Sequence, residues 1–82
     1  MVRVIFDEKF QRIISKIKDS ATQNSIKNKI AKIIENPEIG KPMRHVRKGT
    51  REVYSKPFRL SYAYIVNENK IILLDLYHKH KQ

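Results

Sequence analysis

The apolar positions of the chain change their spacing as it proceeds, and each change marks an element. Residues 2–6, Val-Arg-Val-Ile-Phe, are β-branched and aromatic in near-alternation and predict a strand. Asp7 ends that run and suits a helix N-cap, where its carboxylate accepts orphan backbone N–H groups. Phe10, Ile13, Ile14 and Ile17 then follow a 3.6-residue period and predict a helix over about 8–18. Lys16 and Lys18 fall in its last turn, where cations suit the helix dipole. Ser20, with Gln23 three residues on, has the form of a capping box and opens a second helix. Its stripe is Ile26, Ile30, Ile33 and Ile34, and its wet face is Lys27, Asn28, Lys29 and Lys32. Asn36-Pro37 ends it, because the residue before proline is pushed out of the α region. The short link at Asp19-Ser20 makes the pair an antiparallel hairpin with two apolar stripes, most simply satisfied by one face of a sheet.

The second half of the chain returns to a period of two. Residues 37–50 hold two of the three prolines and both glycines and read as loop, with a short strand within 43–47. Strands are expected over 51–55 and 58–66, joined by a tight connection at Lys56-Pro57. Asn67-Glu68-Asn69 is a turn, and 70–78 is the last strand. In that strand, alternation gives Ile72, Leu74 and Leu76 as an apolar face, with Asp75 and Tyr77 on the other. The order is β-α-α-β-β-β in an α+β fold. About four strands form an antiparallel-rich sheet, and the first strand must join it so that its backbone groups are paired. The helical hairpin covers one face. If Leu60, Tyr62 and Tyr64 point to the helices, Arg59 lies on the open face. At 82 residues the chain is one domain, 1–82.

Charge adds what the pattern lacks. Eighteen Lys+Arg against eight Asp+Glu give a formal net charge of +10. Such a field favours nucleic acid, an anionic membrane or an acidic protein. Its placement favours nucleic acid. From Lys41 to Arg59 stand Lys41, Arg44, Arg47, Lys48, Arg51, Lys56 and Arg59, against the single acid Glu52. Arginine's planar fork fits phosphate better than lysine's point charge does. There is no cysteine, which excludes a disulfide framework and a thiolate metal site and fits the reducing cytoplasm. No apolar run approaches the roughly 18 residues that span a bilayer, so no membrane partner is expected.

In this order and size the chain resembles the RelE/ParE-like toxin superfamily of type II toxin–antitoxin systems. The resemblance runs over nearly the whole length. It rests on the β-α-α-β-β-β order, the helix-ending Asn36-Pro37, Gly49-Thr50-Arg51-Glu52-Val53, and the strand Phe58-Arg59-Leu60-Ser61-Tyr62. Ile71-Ile72-Leu73-Leu74, leading to a basic tail, completes it. Arg51-Glu52 and the ending Lys79-His80-Lys81-Gln82 are similar to features of the HigB-like branch. The resemblance implies a microbial ribonuclease-like fold and cleavage of mRNA, often at the ribosome, by an mRNA interferase in the cytoplasm. It also implies a cognate antitoxin, acidic or amphipathic, that wraps the toxin. The alternatives are a ParE-like or degenerate toxin that inhibits a protein target without cutting RNA, and a non-catalytic RNA-binding domain.

Metal-free RNA cleavage uses the RNA's own 2′-hydroxyl as nucleophile. It needs a base, an acid and a cation for the charge growing on phosphorus, and no cofactor. Arg59 matches the family's arginine and is the expected cation, against a surface ion pair with Asp75 or Glu52. Glu52 is a candidate base and Arg51 a candidate phosphate contact. Adjacent strand residues point oppositely, so one of the two is structural, and the expectation falls on Glu52. His78 and His80 are candidate acid or base, since histidine titrates near neutrality, against a frayed basic tail. As a zinc pair they lack a third ligand, and no metal site is expected. Lys79, Lys81, Arg44, Arg47 and Lys48 are expected to contact RNA, with the ribosome or the antitoxin as other uses for the loop arginines. Many relatives end in a tyrosine. This chain ends at Gln82, and its nearest aromatic is Tyr77.

Overall fold

The computed structural model describes residues 1–44 and 49–78. The elements are β1 (Arg3–Phe6), α1 (Glu8–Ser15), α2 (Ser20–Glu35), β2 (Lys41–Pro42), β3 (Arg51–Ser55), β4 (Phe58–Ile65) and β5 (Lys70–His78). The described strands form one sheet in the order β1-β5-β4-β3-β2. β1 runs parallel to β5, and the other neighbours are antiparallel. This is the expected α+β arrangement with one more strand, because the loop before β3 contributes the two-residue β2. The sequence placed a strand slightly later, within 43–47. Arg47 and Lys48 lie outside the described residues.

Both helices start where a carboxylate accepts their first N–H groups. Asp7 caps α1 through the Lys9 N–H at 3.1 Å. At α2 the cap is Asp19, one residue before the expected Ser20. Its carboxylate takes the Thr22 N–H at 2.9 Å and the Thr22 hydroxyl at 2.6 Å. These bonds hold the Asp19 carboxyl below the usual range. Gln23 closes no capping box. Its amide donates instead to the Ile17 carbonyl at 2.6 Å and fixes the turn between the helices. α1 ends at Ser15, earlier than expected, because Lys16 and Ile17 bond back only three residues, to Ile13 and Ile14.

The core lies between the helical hairpin and one sheet face. Phe10, Ile26, Ile33, Leu60, Tyr62, Ile71, Leu73 and Leu76 are buried. Fully burying one such side chain is worth roughly 1.5–3 kcal/mol. The expected stripes hold, except that Ile34 sits at the exposed margin of α2. The expected face of β5 does not hold. Its buried residues are Ile71, Leu73 and Leu76, not Ile72, Leu74 and Leu76. Ser61 pairs with Asp75 and Tyr62 with Leu73, so Leu74 is an extra residue on β5. A bulge of this kind reverses the side-chain parity of a strand at that point. Uninterrupted alternation therefore misreads half of β5.

One latch ties the loop before β3 to the core. The buried Tyr62 hydroxyl donates to the Pro37 carbonyl at 2.7 Å and accepts the Gly40 N–H at 2.9 Å. Arg51 closes the same turn, its Nη1 donating to the carbonyls of Glu38 (3.0 Å) and Gly40 (2.8 Å). Gly40 is required here by close approach. A Cβ at this position would stand 2.6 Å from the Tyr62 hydroxyl oxygen.

Two outcomes follow for urea unfolding. Tyr62→Phe strands the Gly40 N–H and the Pro37 carbonyl and is expected to cost on the order of 1–3 kcal/mol. Gly40→Ala is expected to cost about 1–3 kcal/mol by overpacking, since the added Cβ would also stand 2.8 Å from Tyr62 Cε1. A Gly40→Ala variant as stable as the unaltered chain contradicts the close approach. Burial also raises the Tyr62 phenol, opposed by the Gly40 N–H and the Arg51 charge. The unfolded chain's phenol therefore ionises first. Stability contributed by Tyr62 is present below the ordinary tyrosine range near pH 10 and falls above it, a fall that Tyr62→Phe removes.

Candidate functional site

The site grows out of strand parity. Leu60 and Tyr62 of β4 are buried under the helices, so the residues between and before them, Ser61 and Arg59, face the other way. Across the ladder Arg59 stands opposite Tyr54 of β3 and Tyr77 of β5. Glu52, two residues from Tyr54 on β3, shares this face and is only 5% exposed. Four side chains from three adjacent strands thus meet on the open face: Glu52, Tyr54, Arg59 and Tyr77.

Their contacts are unequal. The Tyr77 hydroxyl donates to Glu52 Oε2, reaching over β4. Glu52 Oε1 lies 3.8 Å from Arg59 Nη1, a charge pairing rather than a short fork-to-carboxylate bond. Arg59 Nε is buried and makes no hydrogen bond among the described residues. The Arg59 side chain is one-third exposed (33%), so its fork still reaches water. Tyr54 is 44% exposed beside it. The cation is therefore held on a rigid strand between two phenol rings, with donor capacity to spare. That arrangement suits an oxyanion arriving from solvent.

The residues expected at the site divide accordingly. Arg59 is on the open face, and its partner is Glu52. Asp75, the other partner considered, is engaged by Lys9 at 3.2 Å. Arg51 and Glu52 point to opposite faces, as parity requires. Arg51 serves the Gly40 latch on the helix side, and Glu52 shares the face of Arg59. The reason is local. Val53 pairs with Leu60, and the turn at Gly40 claims the Arg51 fork. His78 pairs with Phe58, its ring edge-on to that ring at a centroid distance of 6.0 Å. With the parity of Leu76, this puts His78 on the helix side of the sheet, not beside Arg59. Tyr77, on the face opposite Leu76, stands there instead. Arg44 is exposed on the loop after β2. Arg47, Lys48, Lys79, His80 and Lys81 lie outside the described residues.

Tyr54 and Tyr77 are site residues that the sequence reading did not pick out. For Tyr54 a signal existed: it is two residues from Glu52 on the same strand and opposite Arg59 across a two-residue turn. For Tyr77 a signal existed as well, since alternation placed it with Asp75 on the face opposite Leu76, where it lies. Among the described residues no group of three or more His, Cys, Asp or Glu could hold a metal ion, and no helix is long and apolar enough to cross a membrane.

Comparison with known proteins gives the geometry a family. No curated protein matches the sequence. Among solved structures, the chain is similar to the intact Escherichia coli RelBE toxin–antitoxin complex, with TM-score 0.80, 18% identity, and coverage of 99% of this chain and 100% of that one. It is also similar to the isolated E. coli RelE toxin, with TM-score 0.81, 18% identity, and coverage of 100% and 88%. For the RelBE2 toxin–antitoxin complex of Mycobacterium tuberculosis the TM-score is 0.81, at 20% identity and coverage of 95% and 98%. At these identities the likeness is one of fold. A family model described as the ParE toxin of the type II toxin–antitoxin system parDE matches residues 4–82. The chain thus belongs to the ParE toxin family, within the RelE/ParE-like superfamily, and is a toxin of a type II toxin–antitoxin system.

Proposed function

We propose that this toxin is a metal-independent endoribonuclease that cleaves mRNA at the open sheet face, in the cytoplasm and at the ribosome. The observation that carries the reading is Arg59, fixed between Tyr54 and Tyr77 with a buried Nε that makes no hydrogen bond among the described residues. In the proposed reaction the 2′-oxygen attacks the adjacent phosphorus and forms a 2′,3′-cyclic phosphate, and the bond to O5′ breaks. Glu52 takes the 2′-hydroxyl proton, oriented by the Tyr77 hydroxyl. The Arg59 fork binds two non-bridging oxygens and stabilises the charge that builds on them. Tyr54, exposed at the rim, offers a ring for a base to stack on. The proton for O5′ falls to the C-terminal tail, where His80 is the candidate, flanked by Lys79 and Lys81 as phosphate contacts. Arg44, Arg47 and Lys48 are further candidate RNA contacts. The partner in this reading is a cognate antitoxin. A structure of an E. coli RelE mutant with an antitoxin peptide, similar in fold at TM-score 0.74, supports it.

A second reading is a toxin that inhibits a protein target and cuts no RNA. The ParE family match favours it, and so does the placement of His78 away from Arg59.

Arg59→Ala is expected to lower RNA cleavage by about 10²–10³-fold and to abolish growth inhibition, with an unchanged circular dichroism spectrum. Growth inhibition by the unaltered chain without any new RNA ends overturns the nuclease reading in favour of the second. Arg59→Ala also leaves the buried Glu52 carboxylate facing no cation. Breaking a fully buried pair costs roughly 3–5 kcal/mol, and partial exposure of Arg59 reduces this to about 1–2 kcal/mol in urea unfolding. Adding Glu52→Gln to that variant is expected to restore part of the loss. No restoration means that the pair does not act as a unit.

A further inference from the structure

The helical hairpin encloses a space on the far side of the sheet from Arg59. A cleft of about 570 Å³ lies between α1 and α2. On α2 its wall is Gln23, Ile26, Lys27 and Ile30, positions i, i+3, i+4 and i+7 of one stripe. Phe10 and Ile14 of α1 form the opposite wall, and Phe6 of β1, 45% exposed, extends it. Two observations make this a site rather than a packing gap. The polar side chains that could fill it are tied elsewhere. Gln11 donates to the Phe6 carbonyl at 2.7 Å, Gln23 to the Ile17 carbonyl at 2.6 Å, and Ser15 to the Arg12 carbonyl at 2.7 Å. The cleft is thus kept open by hydrogen bonds to neighbouring backbone. The second observation is charge. Among the described residues of the lining, Lys27 is the one charged group, and no carboxylate lies there to offset it.

We propose that this cleft binds a medium-chain alkyl carboxylate, its chain lying among Phe6, Phe10 and the isoleucines and its head group on Lys27. One cation beside apolar walls matches a ligand with one anionic head and one apolar tail. Nucleic acid brings a phosphate at every nucleotide and needs several cations, where the cleft has one. An extended peptide brings backbone N–H and C=O groups to be desolvated, and the polar groups of the lining already have backbone partners. A second copy of this chain carries the same net charge of +10 and repels the first. The same field draws a carboxylate from solution toward the lysine. Phe10 and Ile26 belong to the core, so an occupant extends the core, and the folded chain gains stability from it by mass action. The inference goes beyond the action at Arg59 and does not rest on RNA cleavage.

The test uses the full chain with isotope-labelled isoleucine methyl groups. It is titrated with hexanoate, octanoate and decanoate below their micelle concentrations, and with decanol as an uncharged probe. The Ile14, Ile26 and Ile30 methyl resonances are expected to shift saturably, while those of Ile39 and Ile72, outside the cleft, stay in place. Affinity is expected to rise about two- to four-fold with each added methylene. Lys27→Glu is expected to weaken decanoate by about ten-fold or more and decanol by less than about two-fold. Lys18→Glu changes the net charge equally at an exposed position outside the cleft, and is expected to weaken decanoate by less than about three-fold. Phe6→Ala is expected to weaken both probes. Equal affinity across the three carboxylates, equal losses in the two lysine variants, or shifts confined to Ile39 and Ile72 overturn the proposal. So do shifts of the cleft methyls on dilution of the ligand-free chain, which give the cleft to a second copy. Decanoate binding is measured without RNA, so failure of this inference is distinguishable from failure of the nuclease reading.

Discussion

The structure depends on one constraint: neighbouring residues of a strand point to opposite faces, and among the described residues only one face of the sheet is covered by helices. β4 has to bury Leu60 and Tyr62, the central side chains of the core. Once they are buried, Arg59 and Ser61 have no other place than the open side. The same rule applied to β3 sends Val53 to the core and Glu52 and Tyr54 to the face of Arg59. Packing energy thus positions the polar cluster. Each core side chain contributes roughly 1.5–3 kcal/mol on burial, more than the loose Glu52–Arg59 pairing can, so the cluster follows the core and not the reverse.

The rule also explains what was legible in the sequence. The element order, the helical hairpin, the joining of β1 to the sheet and the exposure of Arg59 all follow from period and burial. The misreadings share a cause, which is that a local event altered a period. An extra residue at Leu74 shifted the first half of β5 and hid Ile71 and Leu73 instead of Ile72 and Leu74. Such a bulge has no local signature in Leu73-Leu74-Asp75, because both leucines are equally apolar. Parity separates Arg51 from Glu52, the packing of Val53 beside Leu60 fixes which of them faces the helices, and the Gly40 carbonyl, eleven residues away, then takes the Arg51 fork. At α2, Asp19 and Ser20 are both good caps, and the second acceptor interaction with Thr22 favours Asp19.

The two sides of the sheet carry two chemistries. At Arg59 an arginine stands between phenol rings, close to a carboxylate. On the other side, the cleft between α1 and α2 sets one lysine beside apolar walls. The core separates them, since Leu60 and Tyr62 are buried between the sheet and the helices. The small core makes the chain's stability responsive to any partner that binds the folded state, by mass action.

The central claim is that parity divides the two strand arginines, giving Arg59 to an anion-binding face and Arg51 to the Gly40 latch. The most direct measurement is a titration of the isotope-labelled chain with an uncleavable 2′-deoxy dinucleotide, followed by the side-chain Nε–H resonances of both arginines. The account predicts a saturable shift of the Arg59 Nε–H, accompanied by shifts at Tyr54 and Tyr77, while the Arg51 resonance stays in place. A shift of Arg51 with Arg59 unmoved would contradict it.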